Sequence, residues 1–191
     1  MLTALFAGLS IGFGSGVAPG PLTGLAISTT LRSGLGSGFR IAIAPLISDS
    51  VIILLSLTLV AQLPEGAITV LGIVGAIVVF AFGSEILWSA YKMHSDEVHM
   101  DSKGSSRLQR LPLIAQGGLI NFLNPAPWIF WITAGSTILL GFWRESPTQA
   151  VVFLLAFYLT LVGAKVAIVV ALAATRHRMS ARTYRLILMA S

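Results

Sequence analysis

The stretch Ala18-Pro19-Gly20-Pro21 interrupts an apolar run that extends from about residue 2 to residue 31. A second stretch, Asn124-Pro125-Ala126-Pro127, interrupts an apolar run from about residue 111 to residue 140. Proline lacks a backbone N–H and clashes with the preceding helical turn, so each stretch predicts a broken helix. Because lipid offers no water to a freed carbonyl, a broken membrane helix must pack against protein or line a wet cavity.

The composition is that of a helical membrane protein. Of 191 residues, 55% are hydrophobic and 10% are charged, against roughly 25% charged residues in a soluble domain. The mean hydropathy is +0.89. The chain contains no cysteine, which excludes disulfides and thiolate sites. Its net charge of +5 comes from short loops between apolar runs, so it indicates membrane topology and no nucleic-acid partner.

Five stretches are long and apolar enough to span a bilayer. They are approximately residues 2–31, 41–61, 66–91, 111–140 and 148–174. A sixth begins near Tyr184 and stops at Ser191, which predicts a six-span plan with a truncated last span. The first 18 residues lack a basic leading region, so they are expected to be a retained span rather than a signal peptide.

Loop charges predict the orientation. Loops 1–2, 3–4 and 5–6 hold ten Lys and Arg residues, whereas loop 4–5 holds Arg144 alone and loop 2–3 holds none. Cytoplasmic loops carry the excess of basic residues. We therefore expect the N-terminus outside the cytoplasmic (inner) membrane of a bacterium or archaeon.

The two halves of the chain resemble each other. Aligning Pro19 with Pro125 also aligns Pro21 with Pro127 and Gly12 with Gly118. This predicts a 3+3 inverted repeat with broken helices 1 and 4, a plan found in secondary transporters; chance similarity is the alternative. The repeats would be residues 1–91 and 111–191, joined by a cytoplasmic linker at 92–110. The linker's His and acidic residues could hold a metal, but without cysteine and among Ser and Gly residues a solvated segment is favoured.

Three ionisable residues lie within the apolar runs, namely Asp49, Glu85 and Lys165. An intramembrane charge costs about 2.5–3.5 kcal/mol on insertion scales and is a functional-site hypothesis by default. Asp49 is expected to bind a proton or a substrate amine, and the alternative is a structural ion pair with Lys165. For Glu85 a structural role is favoured.

Polar and aromatic residues surround the second break. Asn124 is a natural N-cap before Pro125, and Asn121 lies one turn earlier. A half-helix N-terminus that points into a cavity attracts a carboxylate, although both Asn side chains could instead satisfy the broken backbone. Trp128 and Trp131 are interpreted as packing residues, with stacking on a substrate cation as the alternative.

The chain resembles the lysine-exporter (LysE/RhtB) superfamily. The resemblance is carried by Gly16-Val17-Ala18-Pro19-Gly20-Pro21, by the turn Arg32-Ser33-Gly34-Leu35-Gly36-Ser37-Gly38, by Asp49, and by Gly118-Leu119-Ile120-Asn121-Phe122-Leu123-Asn124-Pro125. It implies export of amino acids or similar small solutes, driven by an ion gradient. The chain departs from the family pattern at Ala126-Pro127-Trp128 and at Ser48, so the solute stays open.

Together these features predict a secondary exporter and not an enzyme, with a proton as the expected coupling ion. No cofactor is expected, and a homo-oligomer is left open. An exporter of a metal or other inorganic ion is the first alternative, and a non-transport membrane protein is the second. The candidate substrate- or proton-binding residues are Asp49, Pro19, Gly20, Pro21, Asn121, Asn124, Pro125 and Lys165.

Overall fold

The computed structural model describes residues 1–92 and 110–175, and within these ranges it contains helices and no strand. The helices are α1 (Leu2–Val17), α2 (Pro21–Ser33), α3 (Leu35–Ala42), α4 (Pro45–Val60), α5 (Glu65–Lys92), α6 (Leu113–Leu123), α7 (Pro125–Phe130), a π-helical stretch (Trp131–Gly135), α8 (Ser136–Glu145) and α9 (Pro147–Thr175). The predicted linker and the start of the predicted sixth span lie mostly outside the described residues.

Prolines set where several helices begin. Pro21, Pro45 and Pro125 each stand in the first turn of a helix, where the missing N–H would have no intrahelical acceptor anyway. Between α2 and α3 the chain turns at Gly34, whose φ of 86° favours glycine. The gap between the first two predicted spans, residues 32–40, was predicted to be a loop. This prediction is wrong, because all of the segment except Gly34 is helical.

Length and composition support several membrane crossings. Leu35–Val60, Pro125–Glu145 and Pro147–Thr175 are each long and apolar enough to span a bilayer. The pair α1 and α2 qualifies as a fourth, with a bend of 61° at its break. These crossings agree with a multi-pass membrane protein, while the six-span plan and the inverted repeat stay predictions.

The fourth predicted span differs from expectation in its extent. It was expected over residues 111–140 with an internal break, but the helix after the break continues to Glu145 and is 21 residues long. Only Ser146 separates it from α9. The break at Asn124 and Pro125 therefore lies at one end of a full-length helix.

Helices α1 and α9 run parallel and pack closely through glycines. A Cβ on Gly8 would lie 2.5 Å from the Phe153 carbonyl oxygen, and one on Gly16 would lie 2.7 Å from that of Leu161. Gly12 meets the backbone of Phe157 between them. Small residues at this spacing let two backbones approach each other, so Gly8, Gly12 and Gly16 pack α1 against α9.

Helices α4 and α6 also run parallel. A Cβ on Gly117 would lie 2.7 Å from that of Ala44, and Asn121 one turn later contacts Ser48 and Asp49. Gly118, which aligns with Gly12, faces open space. The glycine that makes the close contact is thus one residue earlier than the alignment of the two breaks indicates.

Candidate functional site

The first break frees carbonyl groups of α1, and buried side chains bind them. The Lys165 ammonium donates to the Gly16 carbonyl at 3.3 Å, and the Thr23 hydroxyl donates to the Ala18 carbonyl at 3.1 Å. Lys165 also donates to Thr23 Oγ1 at 3.0 Å. We call Gly16, Ala18, Thr23 and Lys165 the Lys165 cluster. It joins α9 to both parts of the first broken helix.

The second break is stabilised in a comparable way. Trp128 Nε1 donates to the Phe122 carbonyl at 2.7 Å, and the two rings pack edge to face with centroids 5.1 Å apart. Asn124 caps α7 by accepting from the Ala126 N–H at 3.1 Å, as the sequence predicts. These contacts give Trp128 and Asn124 a role in holding the broken backbone.

The two breaks correspond in the carbonyl that each one frees. When Pro19 is aligned with Pro125, Gly16 falls on Phe122. Each of these carbonyls accepts a side-chain N–H, from Lys165 in one case and Trp128 in the other. The carbonyl three residues before each proline therefore lacks a helical hydrogen-bond donor. Lys165 supplies the donor at the first break and Trp128 supplies it at the second.

Asp49 lies at the second break, 3% exposed, on the buried face of α4. Its Oδ1 accepts from Asn121 Nδ2 at 2.6 Å, and its Oδ2 accepts from the Tyr158 hydroxyl at 3.3 Å. Asn121 Nδ2 also donates to Ser48 Oγ at 2.8 Å. We call Ser48, Asp49, Asn121 and Tyr158 the Asp49 cluster. Side chains from α4, α6 and α9 meet in it, so one carboxylate links three helices.

The two charges are held in separate clusters. Lys165, 7% exposed, binds groups of α1 and α2, whereas Asp49 binds groups of α6 and α9. Within residues 1–92 and 110–175 no ion pair joins them. The direct ion pair left open by the sequence is therefore not formed, because each charge has nearer polar partners, although the two charges still attract each other at longer range.

The remaining predicted site residues share no described hydrogen bond with Asp49 or Lys165. The prolines Pro19, Pro21 and Pro125 are exposed. A Cβ on Gly20 would meet nothing within 4 Å. The structure thus brings Asp49 together with Asn121, and places Lys165 on the carbonyl of Gly16. The prolines and Gly20 line the outside of the breaks.

Tyr158 and Thr23 were missed by the sequence reasoning. Tyr158 stands alone as a phenol within the apolar helix α9, and Thr23 comes two residues after the Pro19-Gly20-Pro21 break. A hydroxyl in an apolar span needs an internal partner, so both residues carried a weak signal. The sequence did not predict that α9 would contact Asp49 through Tyr158 and the first break through Lys165.

Trp131 and two cavities complete the surroundings. Trp131 is 1% exposed and packs against Phe157 with ring centroids 5.4 Å apart, so it has the packing role that the sequence favours over stacking on a substrate.

One cavity of about 310 Å³ lies between α4 and Trp128, and the buried Ser56 hydroxyl beside it has no hydrogen-bond partner. A larger cavity of about 540 Å³, next to α5, is lined mainly by apolar groups and contains neither charge.

Two predicted features fall on parts of the chain that the structure does not describe. The side chain of Glu85 is one of them. The His and acidic residues of the linker, between positions 93 and 109, are the other. Elsewhere in the chain, among the residues that are described, no three metal-ligating side chains come together.

The fold and the two clusters define a class, namely multi-pass helical membrane proteins with proline-broken helices and buried charges at the breaks. A model of the LysE type translocator family matches residues 15–191. The chain belongs to this family, as the motifs predict, and its members are transporters rather than enzymes. Searches of curated proteins and of solved structures found no match.

Proposed function

We propose that this protein is a secondary exporter of amino acids or related small solutes. It would work by alternating access in the cytoplasmic membrane of a bacterium or archaeon, with a proton as coupling ion and the N-terminus outside. Membership of the translocator family supports membrane transport of small solutes. The amino-acid solute and the outward direction are taken from the family resemblance, the proton from the Asp49 cluster, and the orientation from the loop charges.

The Asp49 cluster is the observation that carries the proposal. A carboxylate buried in a span is costly and needs a reason. Its donors come from the amide of Asn121 and the phenol of Tyr158, neutral groups that a proton or a substrate ammonium can displace at the carboxylate. Because the cluster joins helices of both halves of the chain, a change of its occupant would alter how the halves pack.

The first break offers the better place for a substrate carboxylate. The N-terminus of α2 has no side-chain cap, and Gly20 leaves open space beside it. At the second break Asn124 already binds the first free N–H of α7. An uncapped helix N-terminus attracts an anion, and the Lys165 ammonium one turn away adds positive charge. The proposed substrate carboxylate would therefore bind near Gly20.

The test is gradient-driven efflux from proteoliposomes loaded with a panel of amino acids. Asp49→Asn removes the charge but keeps the size of the side chain, and we expect it to abolish efflux at unchanged expression. Glu145→Gln is the matched control, because Glu145 is an exposed carboxylate at the end of α8. Normal efflux by Asp49→Asn would refute the assigned role.

An exporter of a metal or other inorganic ion would use the same architecture. The described spans offer no histidine or cysteine as soft ligands, so amino acids and their analogues are the first choice. Growth of cells that express the protein, on a metal panel beside an amino-acid analogue panel, separates these two solute classes. A chain that changes tolerance in neither panel would favour the remaining alternative, a membrane protein without transport activity.

A further inference from the structure

One helix contacts both clusters. Tyr158 of α9 donates to Asp49, and Lys165 of the same helix donates to Gly16 and Thr23. The two side chains are seven residues apart, so they lie on one face of α9, about 10.5 Å from each other along its axis. The face between them carries Leu161, which packs on Gly16 of α1.

The segment of α9 between the two contacts can act as a rigid link. The helix is continuous over Pro147–Thr175, and its one proline stands at the start, so no break separates Tyr158 from Lys165. The Tyr158 ring packs edge to face on Phe157, with centroids 5.1 Å apart. Phe157 is buried in the core, and its backbone meets Gly12. A displacement of Tyr158 therefore reaches α1 through α9.

We propose that Tyr158 is a positioning residue that couples the Asp49 cluster to the first break. It orients the Asp49 carboxylate through its hydroxyl, and α9 transmits the state of that carboxylate to Lys165 and the Gly16 carbonyl. Loss of charge at Asp49 weakens the bond from Tyr158, because hydrogen bonds to an ionised acceptor are the stronger ones. The coupling rests on the role of Asp49 proposed above. It would connect a change of charge at Asp49 to the N-terminus of α2, where the substrate carboxylate is proposed to bind.

A single-cysteine reporter can test this coupling without a known solute. The chain has no cysteine, and a Cβ on Gly20 would meet nothing within 4 Å, so Gly20→Cys is expected to add one accessible thiol at the first break. The rate of its modification by N-ethylmaleimide is measured in the purified full-length protein. Ala18→Cys, half-buried at the same break, is the second reporter if the first variant does not fold.

The comparison is a double-mutant cycle. Asp49→Asn is expected to change the modification rate by about threefold or more, as for residues in one network. Adding Tyr158→Phe, which removes only the hydroxyl, should abolish that difference. Thr175→Val is the matched control, because it removes a hydroxyl of α9 that bonds only to its own helix, and the difference should persist in it. Gly36→Cys, an open position away from both breaks, should not respond to Asp49→Asn.

Two results would overturn the coupling. One is an Asp49→Asn effect at Gly20→Cys that survives Tyr158→Phe, since the path would then bypass Tyr158. The other is no effect of Asp49→Asn on the reporter at all. Neither result depends on efflux, so a failure of the coupling is distinct from a failure of the proposed export function, which the proteoliposome assay decides.

Discussion

At the scale of single residues, the two buried charges solve different problems. Lys165 binds a backbone carbonyl that the first break leaves without a partner, so it has a structural task whatever else it does. Asp49 binds an amide and a phenol, and the fold does not need a charge to satisfy those groups. A buried charge without a structural need is the better candidate for function, which favours Asp49 over Lys165 as the residue that changes state.

Thr23 is the residue that links the broken backbone to Lys165. Its hydroxyl donates to the Ala18 carbonyl and accepts from the Lys165 ammonium. Thr23→Val keeps the shape but removes the bond to the Ala18 carbonyl and leaves Lys165 with Gly16 alone, which should cost about 1–3 kcal/mol. We expect a lower melting temperature in detergent, measured by differential scanning fluorimetry.

The control for that measurement is Thr175→Val. The Thr175 hydroxyl is exposed and bonds only to carbonyls of α9, so its loss should be nearly neutral. Equal melting temperatures for the two valine variants would show that the Thr23 hydroxyl does not hold the break.

At the scale of helices, the contact between α1 and α9 fixes the position of the Lys165 cluster. The glycines of α1 bring its backbone against that of α9 at Phe153, Phe157 and Leu161. Because Lys165 lies one turn beyond Leu161, this approach is what lets its ammonium reach the Gly16 carbonyl. The distance between the α1 and α9 backbones therefore determines whether Lys165 can bind the carbonyl that the first break frees.

Gly12 and Gly14 form a matched pair of positions for testing this contact. A Cβ at Gly12 would clash with the Phe157 backbone, whereas a Cβ at Gly14 would meet nothing within 4 Å. Gly12→Ala should force the helices apart and cost about 1–3 kcal/mol, as overpacking does. Gly14→Ala should be neutral or slightly stabilising, because alanine favours helix. Melting temperatures of both variants in detergent test this, and a Gly12→Ala variant as stable as Gly14→Ala would contradict the close contact.

The sequence predicted the helices better than it predicted their contacts. The two breaks, the Asn124 cap and the buried positions of Asp49 and Lys165 follow from local chemistry, namely proline geometry and the cost of charge in lipid. The partners of the charges do not, because Tyr158 is 109 residues from Asp49 in sequence. The helical segment at 32–40 was missed for another reason: its glycines and arginines signal a loop, but the turn needs only Gly34.

At the scale of the whole molecule, the order of the helices places Met1 on the side opposite to Arg32 and Arg40. The N-terminal ammonium of Met1 donates to Gln149 near the start of α9. The first broken helix ends with Arg32 near the start of α3, and Arg40 follows within α3. The side that carries Met1 and Gln149 is therefore opposite to the side that carries these arginines, and the excess of basic residues predicts that the arginine side is cytoplasmic.

Cysteine labelling of intact cells tests this orientation. Gln62, exposed after the end of α4, is on the Met1 side, and Gly36, exposed with open space around it, is on the arginine side. We expect a membrane-impermeant maleimide to label Gln62→Cys in intact spheroplasts, and Gly36→Cys only after permeabilisation. The native chain, free of cysteine, gives the background. The reverse pattern would place the N-terminus in the cytoplasm, and the uncapped start of α2 would then have to receive its solute from the opposite side of the membrane to the one proposed.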